Sequence, residues 1–237
     1  EDDHTFVAND LVVHNSHASS FALLAYASAY LKVHHPAPFY AALLNNQPMG
    51  FYHAATIIKD AQRHGLRILP VDVTRSRWSC TLEEVDGAPR PWAVRLGLRM
   101  VKGLRETAGE SIVSARAERA FPSVHDLARR AGLERGELER LAAIGALAAL
   151  GGTRRAQLWT VSVPWPGPLF DSPGPAAPSP LREMTEGERL VADYAGTGVT
   201  LGRHPMALRR ADLASRSVLR AQDLAAVADA TRIRVAG

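Results

Sequence analysis

"LGLRMVKGLRETAGESIVSAR", residues 96–116, is the stretch on which the reading of this chain turns. Lys102-Gly103-Leu104 is short, and glycine sits where a chain can reverse most cheaply. After it come Ala108, small enough for a close helix contact, and Ile112, spaced to enter a core. The pattern predicts two helices joined by a tight turn. The second helix would open with free backbone N–H groups beside a basic side chain, which can hold a phosphate without reading a base. Glycine turns between helices also serve packing alone, and the residues leave both readings open. Arg105 stands where a Gly-x-Gly turn would carry its second glycine. It either adds a phosphate contact or spoils the close backbone approach that glycine permits.

Around this stretch the texture is helical from Met100 to Gly151, broken at "KGLR", "FPS", "AGLERG" and "AIGAL". The unit "LERLAAIGALAALG" is a weaker echo of the first turn and reads as structural. Seven prolines between Pro164 and Pro180 mark an extended linker, taken as residues 159–186. Residues 187–230 return to helical texture, and the terminal "TRIRVAG" reads as the opening of a strand, with Ile233 and Val235 poorly buried. Upstream, "LRILPVDVTRS", "WSCTLEEV" and "WAVRLGL" read as strands. Glu83, Glu84 and Asp86 are taken as a solvated acidic loop. "FYHAATIIKDAQRHG" is a helix with Ile57, Ile58 and Ala61 on one side and Gly65 at its end. Residues 17–31 form an apolar helix that stops before "HHPAP", where His34 and His35 are structural. Residues 1–15 alternate as a small hairpin around "AND". The fold class is mainly α with small β elements (α+β).

Composition narrows the function classes. A formal charge of +4 and a pI near 9.6 suit nucleic acid without requiring it, and Arg far outnumbers Lys. The one cysteine, Cys80, excludes an internal disulfide and any cysteine-based metal site. "FALLAYASAYL" is too short to span a bilayer and ends at Lys32. With no leader visible, the expectation is a cytoplasmic chain with no membrane partner. Both ends, starting at Glu1 rather than Met, look cut from something longer.

"VVHNSHASSF", residues 12–21, places a polar knot between two apolar textures. The Asn15 amide can attack its own carbonyl and close a five-membered succinimide, breaking the bond to the next residue. His14 can hydrogen-bond that carbonyl and steady its developing charge. Ser16 carries a hydroxyl able to accept an acyl group. The plainer reading is a turn, which Asn favours. Ser16-His17 at the start of a helix can present N–H groups and an imidazole to an anion, or simply be a cap and a solvated side chain.

Residues 4–16, "HTFVANDLVVHNS", resemble the C-terminal end of an intein followed by the first extein residue. The resemblance implies that His4 assists cyclisation, His14 is the penultimate histidine, Asn15 cyclises and Ser16 accepts the acyl group. From Ser16 on, "YASAYLK", "FYAALLNNQPMGFY", "DAQRHG", "LPVDVTRSRW" and "LGRHPMALRR" resemble bacterial C-family DNA polymerases of the polymerase III alpha-subunit type, in particular the error-prone, damage-tolerant branch. The resemblance implies a fingers region over 16–95, a tandem helix-hairpin-helix over 96–158, the linker, a helical connector and, at 231–237, the truncated start of an OB-fold. It implies that Ser16 and His17 contact the triphosphate of an incoming dNTP. Lys102, Gly103, Leu104 and Arg105 would contact primer-template DNA, with Mg2+ held by palm carboxylates outside this chain and none bound here. Leu169 and Phe170 match the end of a peptide that binds the sliding clamp, although Pro166 stands where its glutamine would be. Other mutagenesis or replication proteins are further expected partners. On this reading the chain alone neither splices nor polymerises. The alternatives are a non-catalytic helix-hairpin-helix DNA-binding module, an autoprocessing element, and a piece of the main replicative alpha subunit.

Overall fold

The computed structural model describes residues 5–8, 11–14, 17–87, 91–163 and 179–236. The first element is a two-stranded antiparallel hairpin of β1 (Thr5–Ala8) and β2 (Leu11–His14), in a register that runs from Ala8↔Leu11 to Thr5↔His14. Helix α1 (His17–His34) follows. Along its described part α1 is exposed nearly throughout, Leu23, Tyr26 and Val33 included. It is tied down at its C-terminal end, where it meets α2 (Pro36–Asn45). Pro36 ends one helix and opens the next, since a proline is tolerated in a first turn and nowhere deeper.

Helices α2 and α3 (Ala54–Arg63) pack together, with Tyr40, Leu44, Ile57, Ile58 and Ala61 buried. Asp60 gathers the three helices. Its carboxylate accepts from the Tyr40 hydroxyl at 2.6 Å and pairs with the Lys32 ammonium at 2.7 Å and with His64 at 3.4 Å. Lys32, then Tyr40, hold the Asp60 carboxyl below the ordinary carboxylate range. Burial and the same carboxylate push the Tyr40 phenol up.

A three-stranded sheet in the order β3 (Ile68–Leu69), β5 (Trp92–Arg95), β4 (Thr81–Glu84) lies against α2. β3 pairs with β5 parallel and β4 with β5 antiparallel. The strand expected through "LRILPVDVTRS" is only two residues long. Pro70 has no N–H to extend a ladder, and Asp72 captures the N–H and hydroxyl of Thr74 at 2.8 and 2.7 Å. The buried Ser76 hydroxyl then accepts from Asp72 N–H and donates to Leu96 O. Glu83 is not part of a solvated loop. It sits in β4 and pairs bidentately with the buried Arg95, at 2.8 and 2.9 Å, which holds its carboxyl low.

The rest is helical: α4 (Glu106–Glu118), α5 (Val124–Ala131), α6 (Arg135–Ala143), α7 (Arg154–Ser162), α8 (Glu186–Thr197) and α9 (Pro205–Ser215). A two-residue parallel pair, β6 (Val218–Leu219) with β7 (Arg234–Val235), closes the described chain. Ile233 and Val235 are half exposed, as expected of a strand with little to pack against. One core runs through sheet and helices alike, from Leu44 and Ile58 through Val94, Leu98 and Ile112 to Leu127, Leu141 and Leu147. Val73 N–H donates to Ala146 O, and the Arg116 guanidinium donates to Val73 O and Ser76 O, stitching the two halves together. Among the described residues no helix is long and apolar enough to cross a membrane.

Candidate nucleic-acid interface

The turn at 102–105 forms where it is expected, but its first arm differs. Before it stands one 3-10 turn, Leu98–Met100, in place of an α-helix. Strand β5 ends at Arg95 and leaves too few residues before Lys102 for a full helix. Val101 and Leu104 are buried and fix the turn in the core, and Leu104 N–H closes it on Val101 O. Gly103 has φ +74°, a conformation that costs any other residue energy. The Arg140 guanidinium lies against it. A Cβ at Gly103 would stand 2.7 Å from Arg140 Cζ, and Arg140 Nη1 donates to Gly103 O at 2.8 Å.

The neighbouring donors are committed within the protein. Lys102 N–H donates to Gly196 O at 2.7 Å, and its ammonium donates to Tyr194 O at 3.1 Å. A cation there also meets the negative end of α8. Arg105 N–H and Nε donate to Glu137 Oε1, and Nη2 to Oε2. Arg105 also pairs with Glu134 at 3.1 Å. Glu137 is buried and accepts Glu134 N–H as the capping box of α6. The Arg105 guanidinium, foremost, holds the Glu137 carboxyl at about 2, from an ordinary value of 4.5.

The second turn repeats the device. Gly145 has φ +79°, and the Arg154 guanidinium covers it, with Nε 2.6 Å from where a Cβ would stand. Arg154 then pairs with Asp193 of α8 at 2.6 Å. Between α6 and α8, beside the first turn, lies an open groove of about 560 Å³. Lys102, Gly103, Arg140, Ala143 and Gly196 are among the residues that line it, with Glu139, whose carboxylate pairs with Arg135 at 3.0 Å. Arg140 is the cation that sequence reading missed, because it lies in a unit taken as structural.

The other expected site residues divide in two. His14 ends β2 and His17 opens α1. His4, Asn15, Ser16, Leu169 and Phe170 lie outside the described residues. No group of three or more His, Cys, Asp or Glu side chains able to hold a metal ion occurs among the described residues. Asp60, Glu83 and Glu137 are each engaged by cations.

Residues 65–157 match the family model described as helix-hairpin-helix motif. The chain is 53% identical over 228 residues to the error-prone DNA polymerase of Azoarcus sp. (strain BH72), covering 94% of this chain and 21% of that protein. The protein so named from Alkalilimnicola ehrlichii is 51% identical over 226 residues, covering 94% and 22%. The one from Methylococcus capsulatus is 45% identical over 241 residues, covering 94% and 23%. The chain is similar to error-prone DNA polymerases. It spans about a fifth of the length of these curated relatives.

Proposed function

We propose that this chain is a piece of an error-prone DNA polymerase, running from the fingers region through a tandem helix-hairpin-helix, that grips the backbone of primer-template DNA during damage-tolerant synthesis. The observation that carries the reading is the groove at Gly103, where Lys102 and Arg140 stand beside a glycine turn inside the segment that matches the helix-hairpin-helix model. Such a site holds phosphate and reads no base. Template-directed nucleotidyl transfer belongs to the whole polymerase. Here His17, the first residue of an 18-residue helix, is assigned to the triphosphate of the incoming dNTP, in keeping with the anion affinity of a helix N-terminus. The test is binding of duplex and primer-template DNA across a salt series. Lys102→Gln and Arg140→Gln should each lower the slope of log affinity against log salt by about one. Salt-insensitive binding, or unchanged slopes in both variants, overturns the reading.

A second reading concerns residues 1–15, and the β1–β2 register favours it. The ladder ends on the Thr5↔His14 pair, adjacent in sequence to His4 and Asn15. In this reading the segment is the C-terminal end of an intein, with Asn15 cyclising and Ser16 accepting the acyl group. Mass spectrometry of the junction at Ser16 in the complete reading frame tests it. Ser16 joined to upstream polymerase sequence supports splicing, and a product that still carries "LVVHN" before Ser16 counts against it.

A further inference from the structure

The loop between α2 and α3, "NQPMGFYH" at 46–53, carries part of the resemblance, yet nothing above assigns it a task. Its footing is fixed. The Asn45 side chain bridges Cys80 both ways, donating to Cys80 O at 2.9 Å and accepting Cys80 N–H at 2.7 Å. The Arg99 guanidinium donates to Asn45 O at 2.6 Å and to Gln47 O at 3.3 Å. At the other foot, His53 O accepts the N–H groups of Thr56 and Ile57 as α3 begins. On this anchored loop Phe51 is 98% exposed and Tyr52 65% exposed. Single exposed apolar side chains are ordinary, but two adjacent aromatic rings presented to solvent on a held loop are not.

The surrounding charge selects the partner. From Leu11 to Lys59 there is no aspartate or glutamate, while Lys32, Lys59 and five histidines fall in the same span. The first carboxylate after it, Asp60, is paired with Lys32 and His64. A polyanion meets no repulsion from this segment, and an aromatic face stacks on any base. We infer that Phe51 and Tyr52 form a stacking platform for unpaired bases of single-stranded nucleic acid, separate from the phosphate contacts at Gly103. The inference rests on DNA being this chain's ligand.

The test uses the 237-residue chain with fluorescently labelled dT20 and a 20-mer of the same backbone bearing abasic sites, by anisotropy across a salt series. Phe51→Ala with Tyr52→Ala should lower affinity for dT20 about tenfold or more. The same pair should leave the abasic strand, duplex binding and the salt slope unchanged, and Phe51→Trp should retain affinity for dT20. Equal binding of dT20 by the chain and the double variant overturns the inference, as does an equal loss on the abasic strand. A chain that binds duplex but not dT20 also overturns it, while leaving the phosphate reading standing. Loss of all DNA binding by the unaltered chain defeats both.

Discussion

The Arg105–Glu137 clasp gives a prediction whose size the structure sets. Glu137 accepts four hydrogen bonds, three from Arg105 and one from Glu134 N–H. Glu137→Gln keeps the shape but places an NH2 where one oxygen stood, so two of the four donors face another donor whichever way the amide lies. A carboxyl at about 2 when folded and 4.5 when unfolded carries about 3 kcal/mol of stability. The Glu137 side chain is only 3% exposed, so that value needs little discount for solvent, whereas Arg105 is half exposed and can turn to water once released. The expected loss near neutral pH is about 2–3 kcal/mol.

The sign with pH follows from the depressed value. The contribution is complete above about 4.5 and is lost as pH falls toward 2. About 2 kcal/mol of it is gone near pH 3. Urea denaturation followed by circular dichroism, on the chain and on Glu137→Gln, should show a gap at neutral pH that mostly closes near pH 3. A gap under about 1 kcal/mol at neutral pH, or one unchanged by acid, refutes the clasp as drawn.

Three shorter predictions follow from the same geometry. Glu83→Ala leaves the buried Arg95 guanidinium with Pro70 O as its remaining acceptor and should cost about 3 kcal/mol in chemical denaturation; a loss under about 1 kcal/mol would mean the pair adds little. Cys80 is buried, and burial pushes its thiol up, so a disulfide reagent should modify it only at the unfolding rate; prompt reaction in the folded chain contradicts the packing around it. Asn15→Ala in the complete precursor should abolish cleavage after residue 15, read by mass spectrometry, and unchanged cleavage removes the intein reading.

What could be read from sequence was what local physics repeats. α3 was legible because Ile57, Ile58 and Ala61 fall on one face, the face that is buried, and Gly65 follows as a stop with φ +76°. Ala108 and Ile112 enter the core as their spacing implied. The failures came where a local side chain or a distant partner decides. β-branched residues suggested a strand through 71–74, but the Asp72 carboxylate offered the backbone a better bond than a ladder. No spacing rule could show that Lys102 meets Gly196, or that Arg140 covers Gly103, because those pairs meet only once α6 and α8 are in place.

Arg105 shows how the missing partners change a functional reading. Taken alone, it posed a choice between an added phosphate contact and a spoiled glycine turn. In the fold its charge is spent on Glu137 and Glu134, so it fastens the start of α4 to the start of α6. The reversal that a second glycine would ease is carried by Gly103 alone, at φ +74°. Lys102 is drawn the same way toward the C-terminal end of α8, and its ammonium remains on the wall of the groove. Arg140 comes from α6 and lies over the glycine, and Arg154 of α7 does the same at Gly145. The cation at each turn is therefore supplied across the packing, not along the chain. A departure from the expected motif at one position is answered by an arginine 35 residues later, and a motif scan confined to the turn cannot see it.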